Sequence, residues 1–161
     1  MKRKSIVCLG YMFFFIVSVF CLEPGDKAPS FANPDPEGNY HFSKNYFTEG
    51  WVLLDFFATW CEPCKEKLPK VIALDSEYAL KGLTTIIFAI DKEGPEIVGP
   101  YFEENPINAI VLIDRYQVTI RDKYGETSIP LYFLVDETGT IRYKGTDIDE
   151  IHDILEEHLK S

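Results

Sequence analysis

The run Trp51-Val52-Leu53-Leu54-Asp55-Phe56-Phe57, apolar except for one carboxylate, constrains this chain more than any other stretch. Its β-branched and aromatic residues read as a buried central strand. After three intervening residues come Cys61-Glu62-Pro63-Cys64, and from Lys65 to about Leu80 the residues Leu68, Ile72 and Leu74 recur among Lys and Glu at helical spacing. Strand, short loop and helix therefore set two cysteines at the mouth of a helix. There the unpaired backbone N–H groups and the positive dipole end favour a thiolate over a thiol. A thiolate is the nucleophile in disulfide exchange, so the pair reads as a redox dithiol. Cys61 is expected to be the exposed nucleophile, and Cys64, one turn further in, to be more buried and to react second.

The remaining elements follow from punctuation and periodicity. Residues 23–30, with Pro24, Gly25 and Pro29, read as a linker, and residues 31–161 as one folded domain. Phe31–Asn33 and Tyr40–Phe42 flank a Pro/Gly-containing turn and form a small hairpin. Gly82 precedes a second buried strand over 83–90, followed by a helical segment at 96–104, a short strand at 109–113 and a short helix at 117–124. Residues 131–135 and 140–144 make a hairpin around the turn 136–139. The last helix, 147–160, is capped by Thr146 or Asp147 and buries Ile148, Ile151, Ile154, Leu155 and Leu159 on one face. Strand and helix in alternation, closed by an antiparallel hairpin, specify an α/β sandwich with a central mixed sheet flanked by helices, plus the added amino-terminal hairpin.

Lys2, Arg3 and Lys4 precede an uncharged stretch from Ile6 to Leu22, which reads as a signal peptide or short membrane anchor over residues 1–22. Cleavage after Cys21, a lipid on Cys21 and a retained anchor touching the membrane through residues 6–22 are the three outcomes. Each leaves the rest of the chain outside the cytoplasm, on the periplasmic or cell-envelope side. Setting the three basic residues aside leaves 13 of the 16 Lys and Arg against 26 Asp and Glu, a net charge of −13. Such a surface argues against nucleic acid and anionic lipid as partners. Beyond the leader, with Cys8 and Cys21, only Cys61 and Cys64 remain. No second pair completes a zinc site, and His41, His152 and His158 have no ligand-like spacing to the dithiol, so no metal or other cofactor is expected.

Residues Asp55 to Lys65, with Ser128-Ile129-Pro130 some seventy residues later, resemble a thioredoxin-fold protein. The early hairpin, the insert after the second strand and the ending from Pro130 to Ile141 are similar to the TlpA/ResA-like branch of exported or membrane-tethered thiol-disulfide oxidoreductases. The resemblance covers roughly residues 25–160 and implies a cis bond at Ile129-Pro130, facing the cysteines and pairing with an extended substrate segment. Trp60, Pro63, Ile129 and Pro130 are then the substrate-binding residues. Asp55, a carboxylate inside an apolar run, should have a raised pKa suited to a base for Cys64; thioredoxins proper have Asp here, whereas the branch often has a neutral residue. Glu62 opposes thiolate formation at Cys61, and a carboxylate also suits a helix start. Lys67 and Leu131 depart from the branch, which commonly has Glu and Thr there.

The resemblance implies a protein-disulfide reductase for exported proteins such as apocytochrome c, recharged by a membrane electron donor of the DsbD/CcdA type. Three alternatives compete with it. A thiol peroxidase would need Pro where Leu54 stands. A metal-holding protein would need a third soft ligand, and a client-binding module would leave the dithiol unused.

Overall fold

The computed structural model describes residues 22–159. Strands β1 (Ala32–Pro34) and β2 (Tyr40–Phe42) pair as the expected hairpin, with Asn33 opposite His41. Five further strands form one sheet: β3 (Trp51–Phe57), β4 (Leu83–Ala89), β5 (Ile110–Ile113), β6 (Leu131–Val135) and β7 (Ile141–Gly145), in the spatial order β5-β4-β3-β6-β7. β3, β4 and β5 run parallel, and β6 and β7 return antiparallel, so the sheet is mixed. The helices are α1 (Glu62–Tyr78), α2 (Pro95–Glu104) and α3 (Ile148–His158). A 3-10 turn over Ala79–Lys81 ends α1, and Gly82, at φ 103°, takes the left-handed conformation that sends the chain into β4.

The crossovers β3-α1-β4 and β4-α2-β5 step the same way across the sheet. Right-handed connection therefore lays α1 and α2 on one face. Side-chain packing agrees, since Val98 of α2 clusters with Ala89 and Ile113. Val71, Leu74 and Tyr78 of α1 join Ile148, Ile151 and Leu155 of α3 over Trp51, Leu53 and Tyr132. Alternation along β3 places Asp55 on this same helix-covered face. The opposite face is aromatic: Phe56 stacks on Phe88 with centroids 5.1 Å apart, and Phe31, Tyr124 and Phe133 pack around the pair. Each ring buried there contributes about 1.5–3 kcal/mol.

Two short segments differ from their sequence-based expectations. Residues 118–123 form a single π-type turn rather than an ordinary helix. Its cause is Asp114, whose buried carboxylate accepts from the N–H groups of Thr119 and Ile120, while the Thr119 hydroxyl donates to Asn33 of the hairpin. Residues 23–30, expected as a linker, lie along the outer edge of β7. Gly25 N–H donates to the Ile141 carbonyl at 2.8 Å, Ile141 N–H to Asp26 at 2.9 Å and Ala28 N–H to Gly139 at 3.0 Å. Of the leader expected over residues 1–22, residues 1–21 lie outside the described residues, while Leu22 is buried in the core cluster of the domain. Among those described, no helix is long and apolar enough to cross a membrane.

The β6–β7 turn is organised by Asp136, which is buried and accepts from the Thr138 hydroxyl, the N–H groups of Thr138 and Thr140, and Arg142. Burial pushes its carboxyl up, but those four donors outweigh it and hold the pKa at about 2, below the usual 3.8. A depressed acid contributes stability that is full above its unfolded pKa and is lost as pH falls through the folded value. Asp136→Ala should therefore cost about 1–3 kcal/mol near neutrality. In urea melts the gap from the parent protein should narrow as pH drops from 4 toward 2; a gap independent of pH would assign the loss to packing.

Candidate active site

Phe57 ends β3, and the chain turns through Ala58-Thr59-Trp60 into α1. The turn is pinned from the neighbouring strand: the Thr59 hydroxyl donates to Asp91 at 2.6 Å, and Thr59 N–H points at both of its oxygens. Asp91 is fully buried just beyond the end of β4. Ala58 O accepts from Cys61 N–H at 3.0 Å and closes the turn. Cys61 is thus delivered as the N-cap of α1, in extended conformation, with its Sγ 3.3 Å from the N–H of Cys64. That N–H also donates to the Cys61 carbonyl at 3.1 Å, and it is in place to stabilise a thiolate at Cys61. Pro63 occupies the first turn, where its missing N–H costs nothing.

Cys61 and Cys64 are joined as a disulfide, Cα to Cα 5.2 Å. In this state Cys61 is 5% exposed and Cys64 2%, so the nucleophile is less open than expected. Both cysteines belong to the core cluster that contains Phe57, Ala58 and Leu68. Trp60 is the exposed marker of the site, at 60%. Glu62 points outward and pairs with Lys65, one helical turn on, at 2.5 Å. That pair sets a positive charge against the negative charge that Glu62 brings beside Cys61.

Ile129-Pro130 is a cis peptide bond. Leu131 pairs with Phe56, so Pro130 stands level with Phe57, at the end of the sheet from which the dithiol loop departs. Ile129 packs on the same cluster as the cysteines. Leu131 itself is buried, and Lys67 donates to the carbonyl of Thr146, tying α1 to the loop before α3. Both substitutions therefore have structural partners in this chain.

Asp55 lies in the middle of β3, buried among the layers, and its Oδ1 has no hydrogen-bond partner. Burial alone pushes its carboxyl up from 3.8 to about 8. Its cross-strand neighbour is Tyr132, whose phenol is pushed up by burial and by the Asp55 carboxylate. Asp91 and Thr59 are the positioning residues that sequence reasoning passed over as turn and loop. A carboxylate directly after a buried parallel strand, beside the strand that carries the dithiol, was the available signal. The ligand-type side chains that cluster among the described residues, His152, Asp153 and Glu156, sit on α3 near Glu77. Glu77 is thirteen residues down α1 from Cys64, about 20 Å along the axis.

The Redoxin family matches residues 23–159. Among curated relatives, the thiol-disulfide oxidoreductase ResA of Geobacillus thermodenitrificans (strain NG80-2) is 30% identical over 159 residues, covering 97% of this chain and 88% of the relative. ResA of Bacillus thuringiensis subsp. konkukian (strain 97-27) is 32% identical over 142 residues, covering 86% of this chain and 78% of the relative. A crystal structure described as a thiol:disulfide interchange protein DsbE from Chlorobium tepidum superposes with a TM-score of 0.77 at 26% identity, over 86% of this chain and 99% of that one. A dithiol on the N-cap of α1, a cis-proline loop at the same end of the sheet and these likenesses agree: the chain belongs to the Redoxin family, as a thioredoxin-fold thiol-disulfide oxidoreductase of the TlpA/ResA-like group.

Proposed function

We propose that this protein reduces disulfides in exported proteins, apocytochrome c among them, from the outer side of the cytoplasmic membrane. The observation that carries the mechanism is the Cys61–Cys64 pair at the start of α1, with the buried carboxylate of Asp55, one oxygen of it unpartnered, on the face of β3 that the helix covers. In the reduced protein the Cys61 thiolate attacks one sulfur of a substrate disulfide. A mixed disulfide forms, and the other substrate sulfur leaves as a thiolate that takes up a proton from solvent. Asp55 accepts the Cys64 proton, and the Cys64 thiolate attacks Cys61 Sγ, closing the intramolecular disulfide and releasing the second substrate thiol. Two electrons pass from the dithiol to the substrate in each cycle. Trp60, Pro63, Ile129 and Pro130 receive the substrate segment, which pairs with backbone freed at the cis bond. A membrane donor of the DsbD/CcdA type returns the electrons, and residues 1–22 hold the domain at the membrane or export it. The envelope location rests on the basic cluster and apolar run of the leader.

Trapping tests the order of the cysteines. Cys64→Ser should accumulate a mixed disulfide with insulin, released by dithiothreitol, while Cys61→Ser should trap little; substrate found mainly on Cys64 in Cys61→Ser would exchange the roles.

Asp55 makes two linked expectations. Its folded pKa is raised, so between 3.8 and about 8 the folded protein holds a proton that the unfolded chain releases, and stability falls as pH rises across that window. Asp55→Asn should flatten the dependence of melting temperature on pH. It should also slow resolution near neutrality, with recovery as pH approaches the thiol's own pKa, about 8.5. Parallel profiles for the parent and the variant would assign Asp55 to structure.

Location is tested by fusing alkaline phosphatase after Ser161, which should be active in export-competent cells. A fusion active only with a cytoplasmic reporter sinks the envelope reading.

A further inference from the structure

α1 and α2 lie on the same face of the sheet, and beside the dithiol they leave a cleft of about 610 Å³. Glu62, Lys65, Leu68 and Ile72 line it from α1, Tyr101 and Glu104 from α2. The cis-Pro130 loop flanks β3 on the β6 side, whereas this cleft opens on the β4 side, so the two are separate surfaces. We propose that the cleft is a second substrate subsite, which holds an extended segment with an aliphatic residue near the reacting cysteine and a Lys or Arg further along. This inference rests on the reductase reading above and adds the chemistry by which the substrate is chosen.

Continuity with the dithiol is the first argument. Glu62 stands between the two cysteines and also lines the cleft, so a polypeptide whose sulfur is bound to Cys61 passes its mouth. The second is preorganisation. The Tyr101 ring lies 5.5 Å from that of Phe57, the last residue of β3, and 5.1 Å from Phe102, which fixes one wall. Asn105 secures the backbone behind it, donating to the Tyr101 carbonyl through both its N–H at 3.0 Å and its side chain at 2.9 Å. A wall already in place spares the ordering cost of binding. Leu68 and Ile72 give that wall an aliphatic counterpart on α1.

Charge is the third argument. Near the dithiol Glu62 and Lys65 offset each other. On α2, Glu104 is exposed and has no salt bridge among the described residues. The cleft is therefore negative on the α2 side, in a chain of net charge −10, and favours a cationic side chain there.

Peptides of palindromic sequence remove the question of chain direction. Lys-Leu-Gly-Cys-Gly-Leu-Lys, with its cysteine as a mixed disulfide to thionitrobenzoate, is compared with a version bearing Glu for Lys and one bearing Ser for Leu. The reduced full chain is the reagent in single turnover. One dithiol converts one mixed disulfide into peptide thiol and thionitrobenzoate, whose absorbance is followed. The basic aliphatic peptide should react about fivefold faster than either alternative, the size of one exposed ion pair or one partly buried side chain. Glu104→Lys should abolish or invert the Lys-over-Glu preference. Glu157→Lys, which makes the same change of net charge on α3, should retain it. Equal rates for the three peptides, or the same change in both variants, would overturn the subsite while leaving the reductase reading intact. No thionitrobenzoate from any peptide would overturn the reductase reading and the subsite together.

Discussion

Enclosure of β3 on every side is the constraint to which the rest of the molecule answers. β4 and β6 take its two edges, α1 and α3 cover one face, and the aromatic cluster around Phe56 covers the other. All seven of its residues are buried, so the strand cannot shift without exposing a side chain on one face or the other. The dithiol loop leaves from the end of this fixed strand and is held laterally by Asp91. The helix start that prepares Cys61 for chemistry thus inherits its position from the best-packed element of the fold.

Two carboxylates buried close to that loop show how surroundings divide their tasks. Asp91 receives a hydroxyl and an N–H from Thr59, and its oxygens hold backbone in place. Asp55 faces apolar layers with one oxygen unpartnered, and the cost of burying its charge appears as affinity for a proton. Position within the strand accounts for the contrast. Asp91 follows a strand end where donors converge, whereas the neighbours of Asp55 spend their backbone donors on the sheet.

Much of this arrangement was legible in the residues. Trp51–Phe57 announced its strand by its β-branched and aromatic residues, and the helical spacing of Leu68, Ile72 and Leu74 beyond Cys61-Glu62-Pro63-Cys64 announced the helix start. Asp55 was conspicuous as a charge in the wrong company. What escaped depended on distant partners. The π-type turn at 118–123 depends on Asp114 and Asn33, Glu62 pairs outward with Lys65, Cys61 is buried in a cluster with Phe57 and Leu68, and the turn before it is held by Asp91 from beyond the end of β4. The cleft between α1 and α2 was equally hidden, since it exists only once two crossovers have placed both helices on one face.

Residues 25–28 along the edge of β7 fix the point at which the chain enters the domain. Lys144 reinforces it by donating to the carbonyl of Leu22 at 3.0 Å. β7 and β5 are the opposite margins of a five-stranded sheet, about 19 Å apart at the usual spacing between strands. Anything tethered ahead of residue 22 is attached at one margin, while α2 leads into the other. A bulky partner can therefore approach the dithiol from the α2 side without crossing the point where the chain enters.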